Sequence, residues 1–413
     1  MRRKLKKNQL FYKFNCVNSQ FTGFDFDQAM FVEDGMIKFI GDRKTVLKKI
    51  KLDSLKIHES IHLQNKNVLP SFIECHTHTV YSGSRAEEFE LRNNGVSYLE
   101  IAQKGGGILS TMRSTRETSQ KKLIEMTKKR VDQFLKQGVS TVEIKSGYAL
   151  DLKNELKILK VIQQIPNLYT QNCAPHIVST FLGAHAKPPE FASYIAYLDF
   201  LATELLPVIK KKKLSQRVDI FIEKNFFESH EAFDFLKKSK EMGFDIVIHA
   251  NQLSHSGGAE LALELNAMSA DHVIHLSEET IRQFSQKSTV AVLLPAADLY
   301  MKCPYPAARK LIDAGACVAL ATDFNPGSCP TQDLSLVGLL ARLEMKMTLP
   351  EVFKAYTLNA AKALGLEQVE GDLQVGKKAN FICTEASLTD FFYSAGNMPE
   401  HQLFIRGNRI LLS

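Results

Sequence analysis

At 413 residues, with 45% apolar and 23% charged residues, the chain is long enough to bury one large core plus a smaller accessory unit. Its net charge of +7 is spread rather than gathered into a stripe interleaved with aromatics, which argues against a nucleic-acid partner and would help a small anion arrive. No window approaches eighteen consecutive apolar residues, so no membrane span is expected, and seven scattered cysteines without a Cys-x-x-Cys pair argue against a disulfide framework or a thiolate zinc finger.

The start is basic (Arg2, Arg3, Lys4, Lys6, Lys7), but no apolar stretch follows, so it does not read as a signal peptide and a cytoplasmic protein is expected. Residues 1–66 alternate short β-like runs (11–18, 31–33, 36–40) with turns such as Glu33-Asp34-Gly35 and Ile40-Gly41-Asp42. Eight short apolar runs then end in polar or glycine-containing residues: 67–76, 140–146, 174–182, 218–223, 245–249, 270–275, 290–295 and 317–323. Between them lie amphipathic segments at 123–136, 154–164, 231–242, 259–266, 278–286 and 306–314. Several close on a glycine that can take the left-handed cap, as at Gly138, Gly243 and Gly315. Strand–helix alternation repeated this often predicts an α/β chain folded as a (β/α)8 TIM barrel. The Gly105-Gly106-Gly107 run follows a helix rather than a strand, so a dinucleotide fold has little support. After a helical 349–364, residues 368–413 return to the style of the start. The expected organisation is a barrel over 67–367 and a small composite β-sandwich domain formed from both termini, 1–66 and 368–413.

Chemistry gathers at the ends of the runs. In extended chain, His76 and His78 point to the same side and can reach one point at the barrel mouth. A lone His-x-His is weak evidence, and unrelated polar residues at loop junctions would look the same. His249 ends the fifth run, His272 lies in the sixth and Asp323 ends the eighth, and parallel barrel strands all open on one face. Imidazole and carboxylate donors suit zinc or another first-row divalent ion. With His76, His78, His249 and Asp323 as ligands and an open position for water, such a centre is catalytic rather than structural.

The run from Leu69 to His78 (LPSFIECHTH) resembles the first-strand motif of the amidohydrolase superfamily. More narrowly, Gly83-Ser84-Arg85-Ala86-Glu87-Glu88-Phe89-Glu90, Gly105-Gly106-Gly107-Ile108 with Arg113-Ser114-Thr115-Arg116, and Lys145-Ser146-Gly147-Tyr148 resemble the imidazolonepropionases. So do Thr180-Phe181-Leu182-Gly183-Ala184-His185-Ala186, Ser269-Ala270-Asp271-His272, and the stretch from Ala321 through Asp323, Asn325 and Gly327 to Ser328, over about residues 66–380. The resemblance implies one divalent metal, zinc or iron, on His76, His78, His249 and Asp323. It implies substrate contacts from Arg85, Tyr148, His185, Gln252, Asn325, Gly327 and Ser328, a small anionic substrate, and a homodimer. The activity implied is hydrolysis of the cyclic amide of 4-imidazolone-5-propanoate to N-formimidoyl-L-glutamate in histidine degradation. Arg85 suits the propanoate tail because a guanidinium grips a carboxylate through two hydrogen bonds, although an ion pair with Glu87 or Glu88 would also account for it. The proton carrier is Asp323 or His272, and the sequence does not choose.

The chain departs from the family in places. Ser71 stands where glycine is common, Glu74-Cys75 where Asp-Pro is frequent, and Asn251-Gln252 where an acid is usual, so no general base can be assigned at Gln252. Lys145 and Arg113 are placed either behind the ligands or on the surface. Lys224 closes the fourth run, where some superfamily members carry a carbamylated lysine between two metals. The alternative function is therefore another amidohydrolase, a cyclic-amidine deaminase or a dinuclear cyclic-amide hydrolase.

Overall fold

A computed structural model describes residues 7–96, 100, 106–170 and 172–411. The basic residues Arg2 to Lys6, Gly105 and Leu412 lie outside them. The eight apolar runs form eight strands in chain order: Phe72–Glu74, Val139–Lys145, His176–Ala184, Arg217–Ile222, Asp245–Ala250, Ser269–His272, Val290–Leu293 and Val318–Leu320. Neighbours pair in parallel throughout. The cylinder closes at its mouth, where His78 N–H donates to Phe324 O at 2.9 Å and Asp323 N–H donates to His76 O at 3.1 Å. Glu74 fastens the same seam by accepting from the backbone N–H of His76 (3.1 Å) and of Thr322 (3.2 Å). Strands covered on both faces explain why they read as continuous apolar runs: every residue of Val139–Lys145 is buried.

The helices follow from spacing and caps. In Gln120–Lys136, Leu123, Thr127, Val131 and Phe134 fall on one buried face, and Ser119 accepts from Lys122 N–H at the start. The expected helix at 349–364 is two, Leu349–Tyr356 and Leu358–Ala363. Thr357 leaves helical geometry (φ −122°, ψ −95°) and its hydroxyl donates to Phe353 O. Residues 1–66 are not purely β, since Arg43–Leu52 is a lysine-rich helix that turns Val46 and Ile50 inward. Helices at Ile108–Glu117, Tyr194–Phe200, Pro295–Met301 and Leu334–Leu343 also escaped the sequence reading. Among the described residues no helix is long and apolar enough to cross a membrane.

The expected strand at 67–76 divides between two sheets. Asn67–Pro70 pairs with Phe381–Thr384 and with Asn8–Val17 in a mixed sheet built from both chain ends, and past Ser71 the chain enters the barrel as Phe72–Glu74. The sandwich takes the form of this single sheet, curled until its edge strand Met36–Asp42 meets residues 377–379, with Ile37 N–H donating to Lys377 O at 2.8 Å and Ala379 N–H to Gly35 O at 2.9 Å. Side chains alternate along Phe381–Thr384. Phe381 and Cys383 enter the core inside the curl with Phe11, Phe14 and Phe404, while Ile382 joins the barrel core. At the base of the barrel, Glu370 accepts from Thr141 Oγ1 (2.5 Å), pairs with His176 Nδ1 (2.9 Å) and ion-pairs with Lys378 (2.5 Å), tying two barrel strands to the terminal sheet.

Candidate active site

The C-terminal ends of the first, fifth, sixth and eighth strands bring His76, His78, His249, His272 and Asp323 together, all buried. Donor atoms of His76, His78 and Asp323 lie within 4.8 Å of one another, as do those of His76, His249 and His272. Three residues at two of these ends are strained: His272 and Val273 sit at φ 74° and 46°, Asp323 at 55°. Each costs on the order of 1–3 kcal/mol and persists where surrounding structure enforces it.

The donors' orientations are fixed from behind. His76 Nδ1 meets Asp271 Oδ2 at 2.6 Å and His249 Nδ1 meets Asp219 at 3.0 Å, so both rings turn Nε2 toward the shared centre. Lys145 Nζ lies 2.8 Å from Asp219, 3.0 Å from Glu143 and 3.5 Å from Asp271, all four groups buried. Burial alone would push the Lys145 ammonium down, but Asp219, Glu143 and Asp271 outweigh it and hold it protonated. Lys145 is thus a hub beneath the histidines. Arg113 is exposed and borders no part of the cavity. Sequence reading missed Glu143 and Asp219 and gave Asp271 no role. The signal was there: a charge inside an apolar strand run, as in Val218-Asp219-Ile220, needs a partner in the core.

The donor set fits a divalent cation. Among the described residues, His76 Nε2 and His249 Nε2, both buried, have no hydrogen-bond partner. Asp323 Oδ1 stands 3.4 Å from His76 Nε2 and 3.3 Å from His78 Nε2. Charge-assisted hydrogen bonds run about 2.7–2.9 Å, whereas ligands about 2.1 Å from one tetrahedral ion sit some 3.4 Å apart. Burial and Lys145 oppose charging His76, yet Asp271 and Asp323 push its pKa up to about 9, and a field that favours a proton there also favours a metal ion.

Above the donors opens a cavity of about 290 Å³, lined by every expected site residue except His76, which lies deeper. Tyr148 and the His185 ring stand 5.9 and 5.2 Å from the His78 ring, His185 stacked upon it. Gly147, at φ 105°, holds this corner because a Cβ there would meet Leu182 O at 2.4 Å. Gly327 leaves room for Arg85, whose Nη1 would lie 1.9 Å from a Cβ at that position. Arg85 does pair with Glu88, at 2.8 Å, but it lines the cavity while doing so. Asn325 spends its amide on its own loop, donating to Asp323 O and Ser328 Oγ and accepting from the N–H of Gly327 and Ser328. Gln252 faces the cavity, whereas Asn251 (φ 51°) is tied into the adjoining loop by Ala259 N–H and His275 O. The missing acid therefore becomes a loop-forming residue. Lys224 is exposed and outside the cavity lining, which leaves a bridging-lysine site without support. A larger cleft, about 530 Å³, opens on the terminal sheet and shares no residue with the histidine cluster.

The amidohydrolase family model matches residues 67–410. An imidazolonepropionase of Bdellovibrio bacteriovorus is 51% identical over 382 residues, covering 92% of this chain and 88% of that protein. The chain belongs to the imidazolonepropionases, within the amidohydrolase family. An imidazolonepropionase of Clostridium tetani is 42% identical over 358 residues, 86% of this chain and 84% of that one. Among solved structures, a zinc-bound adenosine deaminase from Xanthomonas campestris superposes with a TM-score of 0.73 at 16% identity, over 98% of this chain and 92% of its own. Guanine deaminase from E. coli gives 0.69 at 13% identity, over 99% of each chain. At those identities the likeness is one of fold. The family is one of metal-dependent hydrolases, and the His/Asp cluster lies where its barrels keep their sites.

Proposed function

We propose that the chain opens the ring amide of 4-imidazolone-5-propanoate by hydrolysis, giving N-formimidoyl-L-glutamate in histidine degradation. One observation carries the reading: a cluster of histidine and aspartate donors forms the floor of a cavity whose wall bears Arg85, a clamp for a propanoate. His76, His78, His249 and Asp323 would hold one divalent ion, zinc or iron. Such an ion, when bound, polarises a carbonyl and lowers the pKa of water to roughly 7. Arg85 binds the propanoate, Tyr148 and His185 flank the ring, and Gln252 hydrogen-bonds a ring heteroatom. Asn325 and Ser328 shape the loop that seats Gly327 against Arg85.

Asp323 or His272 carries the proton. Although burial would raise it, contacts from His76 and His78 hold the Asp323 carboxyl well below the usual range, so it is ionised, as a metal ligand must be. Burial drives His272 down to about 3, which keeps the ring neutral and able to donate one hydrogen bond to oxyanion charge developing on the carbonyl. The test is turnover of freshly prepared 4-imidazolone-5-propanoate, followed by loss of its ultraviolet absorbance with and without chelator. Chelator-sensitive loss without ammonia release supports the reading, and no turnover by metal-replete protein ends it. His249→Ala should lose metal and turnover together, while Arg85→Ala should keep its metal and need more substrate.

A further inference from the structure

Arg85 is half of a longer basic feature. It caps the helix Ala86–Asn93, and Arg92 follows two turns later on the same face, with its guanidinium in the wall of the same cavity. The two differ in charge balance. Arg85 Nε is bonded to Glu88 Oε2 at 2.8 Å, and the other Glu88 oxygen accepts from Gly107 N–H at 2.9 Å, so the carboxylate is fixed in place and largely cancels Arg85. Among the described residues, Arg92 has no carboxylate within ion-pair distance. Its Nη1 meets Met301 Sδ at 3.5 Å and its guanidinium lies 5.7 Å from the Phe89 ring centroid, soft partners that leave the charge uncompensated. Arg92 and Met301 also border a neighbouring cleft of about 340 Å³, so this guanidinium stands where the substrate cavity meets the open surface.

We propose that Arg92 is a specificity-determining residue that supplies the net positive charge by which the cavity selects a carboxylate-bearing substrate, with Arg85 setting the geometry of the grip. The proposal rests on the function proposed above. A cation in the last turn also suits the helix dipole, and that structural role would not discriminate between ligands.

The test uses the metal-replete enzyme and two stable probes of one shape, imidazole-4-propanoate and its primary amide, with binding measured by calorimetry in the wild type and in Arg92→Met. Metal content is measured in parallel, and Arg92→Lys serves as the charge-conserving variant. The variant should bind the propanoate at least about tenfold more weakly, the loss expected for one charge-assisted contact, while the amide changes less than about twofold. Arg92→Lys should recover part of the difference. With 4-imidazolone-5-propanoate, KM should rise and kcat hold. Equal weakening of both probes, or an unchanged preference for the propanoate, overturns the assignment while wild-type turnover leaves the proposed function standing. A wild type that binds neither probe and turns over no substrate overturns both.

Discussion

Lys145 carries an ammonium into a barrel core where desolvation costs several kcal/mol, and three buried carboxylates hold it there. Two of them in turn hold His76 and His249. Replacing Lys145 with Met should therefore cost about 3–5 kcal/mol in chemical denaturation, because Glu143, Asp219 and Asp271 would be left buried without their cation. A loss below about 1 kcal/mol would show that the hub is not formed. Asp271→Asn can no longer impose the ring orientation of His76 as an anion, and metal affinity by competition with a chelator should fall about 10–100-fold. Unchanged affinity would remove Asp271 from the account. Gly327→Ala tests the other wall. Arg85 is the flexible end of that contact and can move aside, so stability should change by less than about 1 kcal/mol while KM rises roughly tenfold.

At the level of elements, the base of the barrel offers a pH test away from the metal centre. Burial would raise the Glu370 carboxyl, but His176 and Lys378 bring it down to about 2, from an ordinary value of 4.5. A carboxyl lower in the folded state stabilises the fold above about pH 4.5 and loses that contribution as pH falls toward 2. Glu370→Gln should be less stable than the wild type by on the order of 3 kcal/mol at neutral pH, and the gap should close steadily below pH 4.5. A gap independent of pH would contradict the assignment. The strands were legible because parallel strands buried on both faces leave long apolar runs, and the clustering of the candidate donors was legible because His76, His249 and Asp323 each end such a run. The lysine-rich helix Arg43–Leu52 was hidden by having two buried residues in ten. The break at Thr357 was hidden because a threonine hydroxyl turned back on the helix carries no mark in the sequence. Glu143 and Asp219 stand inside strands rather than at their ends, and their partner Lys145 comes to both of them only through the closed barrel.

Over the whole molecule, the terminal sheet and the barrel share strand, core and charge. The chain passes from one sheet to the other at Ser71 without a linker, Ile382, Leu403 and Ile405 pack into the barrel core, and Glu370 bridges the two at the base. One cooperative thermal transition is expected, with strand-end probes and terminal-sheet probes melting together. Two resolved transitions would mean that the two sheets are independent units. The site's chemistry depends on that closure, since the seam joining the first and eighth strands carries His76, His78 and Asp323. The most direct measurement is anomalous diffraction at the zinc and iron edges from crystals of the metal-replete protein. One strong peak is expected about 2.0–2.2 Å from His76 Nε2, His249 Nε2, a ring nitrogen of His78 and a carboxylate oxygen of Asp323. No peak there, or a peak held by other side chains, would contradict it.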